Sequence, residues 1–146
     1  MSKLKVYQIF LAEDNPADVY LLRHALKQAG LSFELSVIED GAKALEYVRN
    51  YSSAEDHRPD LAVLDLNLPT HGGIEVLAEI RQTEALSEVP VVVLTSSAAP
   101  LERSQVEQLR VARFLTKPPD LAAYLKIGEV LKEVLLGSEP RPAIER

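Results

Sequence analysis

The chain contains no cysteine and no tryptophan, and its only aromatic residues are five Tyr and three Phe. Without a thiol there is no thiol catalysis, no Cys-ligated zinc and no disulfide framework, which fits a reducing compartment. No apolar run approaches the ~20 residues of a membrane span. The opening Met1-Ser2-Lys3-Leu4-Lys5 lacks the long apolar stretch of a signal peptide, so a cytoplasmic location is expected. Positive charge is also scarce. Sixteen Lys and Arg stand against 22 Asp and Glu, a net charge of −6, which is a poor footprint for neutralising phosphates, so neither nucleic acid nor membrane is an expected partner. What is present is ordinary for a globular protein: 146 residues, 47% hydrophobic and 26% charged. That length suits one domain, expected over residues 1–137, with 138–146, which carries two prolines, as a flexible tail.

Short apolar runs alternate with longer amphipathic stretches. Val6–Ala12 reads as a buried strand, and Asn15-Pro16 after it supplies a helix cap and a proline at the first helical position. Val19, Leu22, Leu26 and Ala29 continue at helical spacing until Gly30. Ser32–Ile38 alternates like an edge strand, and a second helix runs from Gly41 to Tyr51. Leu61–Leu64 is apolar on both faces, as a central parallel strand should be. A third helix carries Ile74, Val76, Leu77 and Ile80, and Val89–Leu94 is the next buried strand. A mostly polar fourth helix (Leu101–Leu109), a short strand (Arg113–Thr116) and a last helix (Leu121–Leu136) complete the alternation. Five strands alternating with five helices imply an α/β fold, a doubly wound five-stranded parallel sheet with helices on both faces.

In such sheets ligands sit beyond the C-terminal ends of the strands. Four of the five strands end at pointed chemistry: Glu13-Asp14, Asp65, Thr95 and Lys117. Two carboxylates ~4 Å apart repel by about 4 kcal/mol at an effective dielectric near 20, so an acidic rim needs cations. Lys117 is one, and Mg²⁺ suits a site made of carboxylates, a carbonyl and waters. With both in place, a carboxylate can act as nucleophile on a phosphoryl donor, while the metal, the ammonium and a hydroxyl stabilise the transferring oxygens. Each residue alone is ordinary: a helix cap, a surface lysine, a core phenylalanine. Their meeting at one rim is what carries the inference.

Glu13-Asp14, Asp65-Leu66-Asn67-Leu68-Pro69 with Gly73, Thr95-Ser96, and Phe114-Leu115-Thr116-Lys117-Pro118 resemble the receiver domain of two-component response regulators. The opening Glu-Asp-Asn-Pro-Ala-Asp-Val-Tyr-Leu-Leu-Arg is most similar to the stand-alone receivers associated with bacterial phytochromes. The resemblance implies the flavodoxin-like strand order 2-1-3-4-5, an order for which a chemotaxis receiver is a standing example. It implies that Asp65 accepts a phosphoryl group from a histidine kinase, with a bacteriophytochrome as the candidate kinase. It implies Mg²⁺ held by Asp14 and Asp65, by Glu13 through water and by the Asn67 carbonyl. Thr95 and Lys117 would contact phosphoryl oxygens, and Phe114 would be the switch aromatic. Gly72 departs from the family, where many receivers carry Asp, and puts the rigidity of that loop in question.

Two other functions compete. A haloacid-dehalogenase-type phosphatase would place its nucleophile after the first strand with an acid two residues on, whereas Asn67 follows Asp65. A non-phosphorylated receiver-like interaction module would usually have lost Asp65 or Lys117. The chain is therefore expected to be no enzyme but a single-domain regulator acting through protein contacts. Ala123, Ile127, Val130 and Val134 repeat with spacings of four, three and four, and form a second apolar stripe on the last helix. They are expected to be exposed and to pair two copies as a homodimer, since single-domain receivers often pair through this region.

Overall fold

The computed structural model describes residues 5–51, 58–96 and 99–137. The elements run β1 (Val6–Ala12), α1 (Pro16–Gln28), β2 (Ser32–Ile38), α2 (Gly41–Arg49), β3 (Leu61–Leu64), α3 (Gly73–Gln82), β4 (Val91–Thr95), α4 (Pro100–Gln108), β5 (Arg113–Thr116), α5 (Leu121–Leu125) and α6 (Ile127–Leu136), with a 3₁₀ turn at Glu84–Leu86. All strand pairings are parallel and the order is β2-β1-β3-β4-β5, as expected. The stretch 138–146, expected as a flexible tail, lies outside the described residues. Among those described, no helix is long and apolar enough to cross a membrane.

The alternation of side chains along each strand divides the core into two layers. Phe10, Ala12, Ala62, Leu64, Val91 and Val93 face one side and pack with Ala44, Leu45 and Val48 of α2, Val76, Leu77 and Ile80 of α3, and Val106 of α4. Ile9, Leu11, Leu61, Val63, Val92 and Leu94 face the other and pack with Leu22 and Leu26 of α1 and with Tyr124, Ile127, Leu131 and Leu135. Because β3, β4 and the Ile9–Ala12 half of β1 are buried on both faces, their sequences read as continuous apolar runs.

Asn15 caps α1, its Oδ1 accepting the Ala17 N–H at 2.9 Å with Pro16 in the first turn. Helix α2 ends at Arg49, short of the expected Tyr51, and β4 begins at Val91, after Pro90, which has no N–H for the ladder. The last helix is two segments. At Lys126 the ladder tightens, the Lys126 N–H donating to Ala123 O at 3.2 Å and the Glu129 N–H to Lys126 O at 3.1 Å. Two residues on, Gly128 lies so close to α1 that a Cβ there would stand 2.1 Å from Ala25 O. The tightened turn lets α6 rest on the backbone of α1.

That packing buries half of the stripe that was expected to be exposed. Ile127 and Val134 are 5% and 7% exposed and belong to the core layer beneath α6, while Ala123 and Val130 are half-buried. Leu121, at the start of α5, is 57% exposed. The helix is wedged between the sheet and α1, so it buries two sides rather than one.

Candidate functional site

The rim residues lie at the ends of their strands and stay tied to neighbouring strands by backbone. The Glu13 N–H donates to Ile38 O at 3.0 Å, the Asp65 N–H to Ala12 O at 3.1 Å and the Lys117 N–H to Thr95 O at 2.8 Å. Ladder-like bonds past the strand ends fix the side chains in place. Behind Asp65, the loop to α3 is fastened on both sides. Gly41 N–H donates to Pro69 O at 2.9 Å, Ala42 N–H to Thr70 Oγ1 at 3.0 Å, and Gly73 passes so near that a Cβ would stand 2.2 Å from Asp65 O. The loop that Gly72 put in question is thus held by the N-terminus of α2. Thr70 takes a left-handed φ of 69° within it.

Lys117 is the centre of the site. Its ammonium, on a side chain 10% exposed, reaches Asp18 Oδ2 at 2.7 Å, Glu13 Oε1 at 2.9 Å and Asp65 Oδ2 at 2.9 Å. The other Asp65 oxygen, Oδ1, accepts from the Asn67 N–H at 3.0 Å and from the Thr95 hydroxyl at 3.1 Å, and the Asn67 side-chain amide donates to Thr95 Oγ1 at 3.1 Å. Glu13, Asp65 and Thr95 are buried and Asp14 is exposed. One carboxylate oxygen from each of Glu13, Asp14 and Asp65 lies within 4.8 Å of the others, a group able to hold a metal ion. Hard oxygen donors in that number suit a magnesium-sized cation that keeps several waters.

Burial pushes the Glu13 carboxyl up to about 7, against the pull of its hydrogen bond to Lys117, and the neighbouring Asp65 charge adds to the rise. Burial alone would raise Asp65 too, but the Asn67 N–H, the Lys117 ammonium and the Thr95 hydroxyl together hold it below its usual value. These partners favour the ionised form of Asp65. Burial would lower the Lys117 ammonium, yet hydrogen bonds to Asp18, Asp65 and Glu13 raise it, so it stays a cation.

The expected residues are brought together, and one was missed. Asp18, in the first turn of α1, makes the shortest contact to Lys117. Phe114 stands apart from the carboxylates, half-buried in the layer with α2, α3 and α4.

Residues 9–127 match the family model of the response regulator receiver domain. Response regulator Rcp1 of Synechocystis sp. is 37% identical over 136 residues, covering 92% of each chain. The crystal structure of the phosphorylated cyanobacterial phytochrome response regulator RcpA superposes with a TM-score of 0.81 at 36% identity, over 95% of this chain and all of that one. The Mn²⁺-bound form of Rcp1 gives 0.78 at 36% identity, over 94% of this chain and 99% of that one.

Proposed function

The chain belongs to the response regulator receiver family, and from that premise we propose that Asp65 is its phosphoacceptor and that the donor is the phosphohistidine of a kinase. An Asp65 carboxylate oxygen forms the new O–P bond while the P–N bond to the donor imidazole breaks. The bonding pair stays on the imidazole nitrogen, which takes up a proton. The observation that carries this reading is the ammonium of Lys117 at 2.9 Å from Asp65 Oδ2 inside a ring of carboxylates. Glu13, Asp14 and Asp65 would hold Mg²⁺, with the Asn67 carbonyl as a further oxygen, and the ion would supply charge for the phosphoryl oxygens. Lys117 keeps its cation beside the acceptor, and Thr95 presents its hydroxyl from the end of β4.

The similarity to a phytochrome response regulator supports a phytochrome-type histidine kinase as the partner. The phosphorylated state is read through Thr95 and Phe114. A phosphoryl group adds about two negative charges and several acceptors, which compete for the Thr95 hydroxyl and loosen its bond to Asp65. The output is a surface of the domain meeting another protein. A homodimer through this helix would have to form on Ala123 and Val130, because Ile127 and Val134 are buried within the chain.

Incubation with acetyl phosphate and Mg²⁺ should add one phosphoryl mass. Asp65→Asn should abolish the gain, and chelation of Mg²⁺ should prevent it. A gain that persists in Asp65→Asn would overturn the assignment.

A further inference from the structure

Three carboxylates share the Lys117 ammonium, but they are not equivalent. Glu13 and Asp65 belong to the group whose oxygens lie close enough together to hold a metal ion, and Asp18 does not. An acidic residue in the first turn of a helix is often there only to meet the helix dipole or to bond back to the cap. Here the cap's backbone N–H is already taken, since Asn15 N donates to Glu13 Oε2 at 3.1 Å. The Asp18 carboxylate is instead turned to Lys117 at 2.7 Å, the shortest of the three contacts, across 99 residues of sequence. Its side chain is 18% exposed, so solvent screens the pair only partly.

The Lys117 ammonium donates hydrogen bonds to Asp18 and Asp65 and forms an ion pair with Glu13 Oε1 at 2.9 Å, so three carboxylates crowd its three N–H groups. A phosphoryl oxygen arriving at Asp65 can meet the ammonium only if one of the present contacts gives way. The carboxylates of Glu13 and Asp65 are the ones drawn to the cation and to the new O–P bond. Asp18, held by a capped helix and outside the metal group, is left to keep the ammonium over the acceptor.

We propose that Asp18 is a positioning residue for phosphoryl transfer, acting through Lys117 by holding its ammonium beside Asp65. This rests on the reading of Asp65 as phosphoacceptor. Its charge adds to an already acidic rim, so a purely electrostatic role would show as a change in metal affinity, whereas a positioning role would show in the transfer rate.

The test compares wild type, Asp18→Ala, Asp18→Asn, Asp18→Glu, Lys117→Ala and the double variant Asp18→Ala/Lys117→Ala. Acetyl phosphate uptake at saturating Mg²⁺ is followed by intact mass, and Mn²⁺ affinity by electron paramagnetic resonance. The expected result is a roughly tenfold slower uptake in Asp18→Ala and Asp18→Asn, partial recovery in Asp18→Glu and Mn²⁺ affinity within about twofold of wild type. In the Lys117→Ala background, Asp18→Ala should have no further effect on uptake. Uptake unchanged in both the Ala and Asn variants overturns the inference. So does an equal fold-change in Mn²⁺ affinity, or a full further loss in the double variant. Wild-type protein that takes up no phosphoryl group at all would instead overturn the phosphoacceptor reading, and this inference with it.

Discussion

Arg103 of α4 lays its guanidinium over the ring of Phe114, 4.6 Å from the ring centroid. The same guanidinium meets Glu107 Oε2 one turn on at 3.5 Å. Phe114, proposed above to read the phosphorylated state, is thus covered by a charged side chain of α4. A cation over an aromatic face at an exposed site contributes about 0.5–1 kcal/mol. Arg103→Ala should therefore cost no more than ~1 kcal/mol in chemical denaturation, while the Phe114 ring resonances shift and broaden. Unchanged ring resonances would mean that the cover does not restrain Phe114.

Arg81 on α3 should be the most sensitive surface-looking residue of the chain. Its Nε donates to Leu109 O at 2.9 Å, its Nη1 to Ser87 O at 3.1 Å and Val89 O at 2.8 Å, and its Nη2 to Arg110 O at 3.0 Å. One planar fork thereby ties the turn before β4 to the turn before β5, where Arg110 has a left-handed φ of 61°. Arg81→Ala should destabilise by about 2–4 kcal/mol. Arg81→Lys should recover little of that, because a single ammonium cannot reach four carbonyls in two directions. Urea denaturation of the three proteins reads both outcomes.

Much of this architecture is legible in sequence, for one reason. Strands buried on both faces make uninterrupted apolar runs, so Leu61–Leu64 and Val91–Leu94 mark themselves, and in β1 the buried run Ile9–Ala12 does the same after Gln8. The charged residues that terminate them are then forced to one rim. The break at Lys126 leaves no such trace, because tightening one turn barely disturbs the helical period. Ile127 and Val134 were misplaced because a helical wheel assumes one buried side, and α6 has two. Asp18 looks like any acidic residue in a first helical turn. Arg81 gave no signal, since its partners are backbone carbonyls without side-chain identity.

The burial of Ile127 gives a sharp contrast with Leu121. Ile127→Glu should destabilise by at least ~3 kcal/mol, because the charge has no partner in that core layer. Leu121→Glu, at 57% exposure, should change stability by less than ~0.5 kcal/mol. Thermal melts distinguish them. A well-folded Ile127→Glu protein would restore the case for an exposed stripe.

Gly128→Ala should be more harmful than its size suggests. The added Cβ would stand 2.1 Å from Ala25 O, and backbone cannot rotate away as a side chain can. Overpacking of this kind costs roughly 1–3 kcal/mol, against a small gain in helix propensity. Gly30→Ala makes a useful companion, since a Cβ there meets nothing within 4 Å and only the φ of 84° resists it.

The contact at Gly128 also makes the molecule mechanically lopsided. Where Gly128 meets the Ala25 carbonyl no side chain stands between the helices to tilt or repack, so at that point α1 and α6 are coupled backbone to backbone. Asp18 stands on α1, the first of these two coupled helices. Across the sheet, α4 has a single buried anchor, Val106, and otherwise faces solvent. A load applied at Asp65 is taken up first by the part that yields most easily. The stiff side serves as the abutment and the α4 side as the spring.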